Sequence, residues 1–138
     1  MTIFSQVLWV GIGCQKGISA QLINTAIEKI FQNYQLTQTA ITGMATIDLK
    51  ASELGLIEFC RVNNWPLKTF PAEILAGVCV PNPGKLITET VGTPSVAEAA
   101  AIMAAAQMTS EVRLLVPKQI FRLSGEVGAV TVAVAQSC

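Results

Sequence analysis

The sequence predicts an α/β fold: a single three-layer domain in which a mixed sheet of about five strands is flanked by helices. Three observations carry this expectation. Short apolar runs alternate along the chain with stretches of helical periodicity, the pattern of strands joined by crossover helices. The 138 residues suffice for one domain with a proper core, whereas two domains would each sit near the marginal size. Hydrophobic residues make up 51% and charged residues 13%, with a mean hydropathy of +0.53, which excludes a disordered chain.

The first strand is Val7-Leu8-Trp9-Val10, a continuous apolar run of the kind buried on both faces of a sheet. Gly11-Ile12-Gly13-Cys14-Gln15-Lys16-Gly17-Ile18-Ser19 follows as a glycine-punctuated turn. Leu22, Ile23, Ala26, Ile27, Ile30, Phe31 and Tyr34 then recur at helical spacing, with polar residues filling the other face. A second strand covers 40–45 and ends in Thr46-Ile47-Asp48-Leu49-Lys50. Ser52 is expected to cap a helix running to Asn63 that partly buries Leu54, Ile57, Phe59 and Cys60.

Residues 65–70 read as a short third strand with Pro66 at its mouth. Pro71 opens a short helix that closes at Gly77. Pro81-Asn82-Pro83-Gly84 is a turn cluster, followed by a helical turn from Lys85 to Val91. Thr93-Pro94 starts an alanine-rich helix that runs from Val96 to Gln107, because proline's missing N–H costs nothing in a first turn. Residues 111–116 and 129–135 are β-branched strands joined by a turn at Gly125–Gly128, close enough in sequence to pair antiparallel. The other strands are expected to be parallel.

Composition removes several function classes. Nine basic and nine acidic residues cancel, so no field exists to hold a nucleic acid. The absence of histidine removes the usual general base, the commonest metal ligand and any histidine-based triad. Cysteines at 14, 60, 79 and 138 form no CxxC pair, so neither a zinc site nor a disulfide framework is indicated, and reduced thiols are expected. The first residues lack the positive region of a signal peptide, and the richest apolar run, 97–106, contains Glu98 and is too short for a membrane helix. The expectation is a cytoplasmic protein with no membrane contact, metal or cofactor.

Three segments could carry chemistry. In the loop after the first strand, Gly11, Gly13 and Gly17 permit close backbone approach, Lys16 adds a cation, and Ser19 can cap the next helix or donate to a ligand. Together they form an anion cradle or, equally, a plain strand-to-helix turn. A Walker A loop fails because Lys16 precedes Gly17, and a Rossmann loop fails because Lys16 occupies the third glycine position. Cys14 sits beside Lys16 near a helix start, where a thiol pKa can fall, though it lacks a histidine base; otherwise it is a small residue packed under the strand. The second segment, Thr46 to Lys50, contains the only aspartate in the chain, Asp48, which could orient Lys50, cap the next helix or act as a base. The plainer alternative is a surface ion pair beside a Ser52 cap. In the third, Thr93 and Ser95 place hydroxyls near a helix N-terminus, as an anion site or as ordinary caps.

Taken together, Gly11-Ile12-Gly13-Cys14-Gln15-Lys16-Gly17, Thr46-Ile47-Asp48-Leu49-Lys50 and Val91-Gly92-Thr93-Pro94-Ser95-Val96-Ala97-Glu98-Ala99-Ala100 resemble the CobE / CbiG C-terminal domain family. Pro81-Asn82-Pro83, Leu114 to Lys118 and the final strand fit the same pattern, in order, over nearly the whole chain. The resemblance implies a role in cobalamin biosynthesis. In that family CbiG proteins are cobalt-precorrin-5A hydrolases, which open the ring-contraction lactone and release acetaldehyde, while CobE is a stand-alone relative of their C-terminal domain with a carrier-like role. The chain departs from full CbiG in lacking everything upstream, so it reads as a CobE-like protein or a fragment of a fusion.

The implied ligand is a precorrin or cobalt-precorrin intermediate, and the implied partners are other enzymes of the pathway. A macrocycle fringed with carboxylates needs dispersed anion contacts around an apolar platform. Lys16, Ser19, Lys50, Thr93 and Ser95 could supply them at one sheet edge, joined by Lys118. If lactone opening occurs here, Asp48 and Glu98 are the motif-borne bases.

Overall fold

A computed structural model describes residues 7–15, 17–78, 96–109, 111–122, 125 and 128–137. The apolar run that opens at Val7 forms β1 (Val7–Cys14), buried along most of its length. It extends through the segment expected to be a turn, because β5 (Val130–Ser137) pairs with it residue for residue, from Val7 opposite Ser137 to Cys14 opposite Val130. Gly11, Gly13 and Cys14 therefore belong to the strand, and the turn begins only at Gln15.

The helix α1 (Ala20–Asn33) follows, with the Ser19 hydroxyl accepting the Leu22 N–H at 3.0 Å. Its buried face is Leu22, Ile23, Ala26, Ile27, Ile30 and Phe31, as the spacing predicts, but Tyr34, expected on the same stripe, is the exposed C-cap. β2 (Ile41–Ile47) leads into a 3-10 turn over Asp48–Lys50. That turn continues through a Glu53 N–H to Lys50 carbonyl bond, so α2 (Leu54–Asn63) is preceded by Glu53 at its N-cap instead of Ser52. Its packed face is Leu56, Phe59 and Cys60, whereas Leu54 and Ile57, expected inside, are exposed. Asn64 ends the helix in the left-handed region at φ 58°, turning the chain into β3 (Leu67–Phe70). Pro71 and Gly77 bracket α3 (Ala72–Ala76), as expected.

α4 (Val96–Ala106) is the alanine-rich helix. β4 (Val112–Phe121) runs five residues beyond the expected end at Val116 and passes through Pro117, tolerated because β4 is an edge strand. The Thr93-Pro94 start, the Pro81–Gly84 turn and the helical turn at 85–91 lie outside the described residues. So do Lys16, Thr93 and Ser95.

The sheet order is β3-β2-β1-β5-β4. β1, β2 and β3 are parallel, while β5 runs antiparallel to both β1 and β4. Alternation along β1 sends Leu8, Val10 and Ile12 into a core with α1 and α2, and Trp9 into a second core beneath α4 and Leu75 of α3. This is the expected three-layer α/β arrangement with a five-stranded mixed sheet. The alanine helix sits unusually close to the sheet: a Cβ on Gly11 would meet the Ala101 backbone N at 2.9 Å and overlap the Ala97 carbonyl oxygen outright. The Trp9 ring likewise lies where a Cβ on Gly43 would stand.

Candidate functional site

Parallel strands all deliver their carboxyl ends to one edge, and the helices that follow begin there. At this edge β1 ends at Cys14, β2 ends at the Asp48–Lys50 turn, and α1 and α2 start immediately after. α4 begins there too, since Ala97 of its first turn lies over Gly11.

The loop after β1 and the start of α2 are bound together. Gly17 adopts φ +84°, and its N–H donates to Glu53 Oε1 at 3.0 Å. Gly55, in the first turn of α2, sits so close that a Cβ there would meet the Ile18 carbonyl oxygen at 2.2 Å. A cavity of about 350 Å³ opens at this junction, lined by Gly17, Ile18, Ser52, Glu53, Leu54 and Gly55. The half-buried Cys14 thiol feels both flanking charges. Burial raises its pKa above the ordinary thiol value, Lys50 pulls it down and Glu53 pushes it up. Cys14, Gly17, Lys50 and Glu53 thus form one electrostatic neighbourhood, with the exposed Asp48 in the same short turn as Lys50.

Other predicted residues have different surroundings. Thr46 is fully buried, and its hydroxyl donates to the Ile12 carbonyl at 2.7 Å, tying β2 to β1. Gly11 is covered by α4, while a Cβ on Gly13 would make only an ordinary contact with Thr131 at 3.7 Å. Ser19 caps α1. Glu98 is fully buried in the first turn of α4, and its Oε2 accepts the Lys118 N–H at 2.9 Å. Among the described residues no three Cys, Asp or Glu side chains gather as a metal site requires, and no helix is long and apolar enough to cross a membrane.

Glu53 escaped the sequence reading. Its only local signal is an acidic residue just ahead of a helix; that it faces the glycine loop 36 positions away is a tertiary fact.

The family model for the C-terminus of cobalamin synthesis protein G matches residues 8–135. The chain belongs to this family. The cobalt-precorrin-5A hydrolase of Priestia megaterium is 31% identical over 98 residues, which cover 71% of this chain and 26% of that protein. The protein of the same name from Salmonella typhimurium is 33% identical over 92 residues, 66% of this chain and 26% of the relative. The chain therefore spans about a quarter of the length of the curated relatives it matches. Its fold is that of CobE, a protein from the cobalamin (vitamin B12) biosynthetic pathway. The two superpose with a TM-score of 0.82 at 24% identity, over 99% of this chain and 98% of that one. This member of the G C-terminal family is a cobalamin-biosynthesis protein.

Proposed function

We propose that this family member binds a carboxylate-rich precorrin or cobalt-precorrin intermediate as a CobE-like carrier or accessory module. The observation that carries the reading is the surface at the end of β2. Leu49 and Leu54 stand 81% and 78% exposed there, in the same stretch as Lys50 and the loop at Gly17. Large apolar side chains left in water beside charged groups suit a flat macrocycle with an acidic fringe. In this reading the ring lies against the leucines. Lys50 and Lys16 take peripheral carboxylates, the backbone at Gly13, Cys14 and Gly17 allows close approach, and Thr93 and Ser95 add hydroxyls. The ligand passes to or from other cytoplasmic enzymes of the pathway.

The test is co-elution of the purified protein with a metal-free corrinoid polycarboxylic acid on gel filtration, followed by absorbance. Stoichiometric co-elution that K50A weakens supports the reading; no co-elution at micromolar concentration overturns it.

A second reading, favoured by the names of the two bacterial relatives, is that the domain contributes to lactone opening in cobalt-precorrin-5A. Of the two carboxylates expected as bases, Asp48 is the exposed one and takes the proton from the attacking water. Acetaldehyde release from the cognate intermediate distinguishes this from simple carriage. Asp48→Asn should abolish release while sparing binding, and unchanged release removes Asp48 as the base.

A further inference from the structure

The pairing of β4 with β5 slips twice: Leu114 faces Ala135, Val116 faces Val134, and Gln119 faces Val132, so each step inserts one extra residue into β4. Pro117 occupies the second bulge, where it has no N–H to offer. The backbone groups displaced there are taken up by side chains. Lys118 N–H donates to Glu98 Oε2 at 2.9 Å, and Gln119 Nε2 donates to the carbonyls of Pro117 and Lys118 at 3.2 and 3.0 Å. Glu98 is fully buried in a helix otherwise built of alanine and other apolar residues. A buried carboxylate is costly there unless its bond does something an alanine could not. The bulge stands across from Ala133 and Val132, which face Gly11 and Ile12 of β1, so Lys118 lies two to three residues short of the level of Cys14, a gap its long side chain can span.

We infer that Glu98 is a positioning residue: it pins the β4 bulge so that Lys118 is held within reach of the carboxyl edge of the sheet as a cationic contact for a ligand carboxylate. The inference rests on the binding reading above. Glu98 touches no ligand; it acts through the backbone of Lys118, while the Lys118 ammonium makes the contact.

The experiment is a double-mutant cycle on binding of the metal-free corrinoid polycarboxylic acid, with unfolding of each variant followed alongside. Lys118→Ala keeps its backbone N–H and is expected to fold normally while binding about tenfold more weakly. Glu98→Ala is expected to weaken binding by a similar factor, and Glu98→Gln, whose amide oxygen still accepts the Lys118 N–H, to restore most of it. The double variant E98A/K118A should bind no more weakly than K118A alone, because both changes remove one contact. Binding by the wild type that K118A leaves unchanged overturns this inference alone, as do additive losses in the double variant. Should Glu98→Ala not fold, the pair E98Q and K118A decides: E98Q binding like the wild type beside a weakened K118A supports the inference, and E98Q binding as weakly as K118A overturns it. No binding by the wild type overturns the binding reading and this inference with it.

Discussion

The Gly17 N–H donates to the Glu53 carboxylate across 3.0 Å, so the loop leaving β1 is held by the residue at the start of α2. Glu53 makes no side-chain cap to its own helix, so its carboxylate serves the neighbouring loop instead. Glu53→Ala should lower the unfolding free energy by about 0.5–1.5 kcal/mol, the value of a partly solvated hydrogen bond. Glu53→Gln, which keeps an acceptor, should lose less. Urea denaturation measures both, and an unchanged E53A midpoint would show that the loop is held by other contacts.

The glycines of the β1 segment should separate into structural and permissive positions. A Cβ at Gly11 collides with the backbone of α4, so Gly11→Ala is expected to cost about 3 kcal/mol. At Gly13 the nearest atom is 3.7 Å away, so Gly13→Ala should fall within about 1 kcal/mol of wild type. Gly17→Ala meets nothing but must adopt φ +84°, at a cost of about 1–2 kcal/mol. Because Gly13→Ala leaves the fold intact, its effect on corrinoid co-elution reports on close ligand approach at that position.

Thr46 opens the second candidate segment, but its hydroxyl is used inside the sheet. Thr46→Val leaves the Ile12 carbonyl without that donor and should destabilise by about 1–3 kcal/mol, whereas Thr46→Ser, which keeps the hydroxyl, should lose less. Thermal unfolding of the two variants distinguishes the hydrogen bond from the methyl group.

The thiols of Cys14 and Cys60 should resist alkylation at neutral pH. Burial pushes Cys60 up to about 11 from 9.0, and burial also raises Cys14 against the pull of Lys50. Iodoacetamide should therefore modify both more slowly than a free thiol, Cys60 most slowly. Lys50→Ala should slow Cys14 further, and Glu53→Gln should speed it. A thiol whose folded pKa is raised stabilises the fold fully below its unfolded pKa. For Cys60 that stability is lost as pH climbs from about 9 through about 11. A Cys14 that alkylates faster than a free thiol at pH 7 would reverse the assignment and restore it as a nucleophile.

Periodicity made much of the fold legible. The α1 stripe, the proline and glycine around α3, and the five apolar strands were readable because each signal is local. What escaped is set by partners distant in sequence. The strand character of Gly11 to Cys14 comes from β5, more than a hundred residues on, and overrides a glycine pattern that alone reads as a turn. β4 continues past Pro117 because Glu98 and Gln119 satisfy the groups the ladder loses. The inward face of α2 keeps Phe59 and Cys60 but takes Leu56 in place of Leu54 and Ile57, because packing against the α1 core selects the stripe. At the site, Lys50 and the glycine loop were legible from composition and order. Glu53 was not, because its partner is chosen by the packing of α2 on the loop.

The slipped ladder of β4 also bears on whether its outer edge can pair with a foreign strand. An outer strand of ten residues would normally offer a row of unpaired amides on which a foreign strand could grow. Two bulges, an imino acid and the charges of Arg113 and Lys118 interrupt that row, and at the opposite margin β3 is only four residues long. Neither margin is a good template for fibril growth. Straightening β4, for instance by replacing Pro117 and Lys118 with β-branched residues, should convert a protected edge into one that recruits neighbouring molecules.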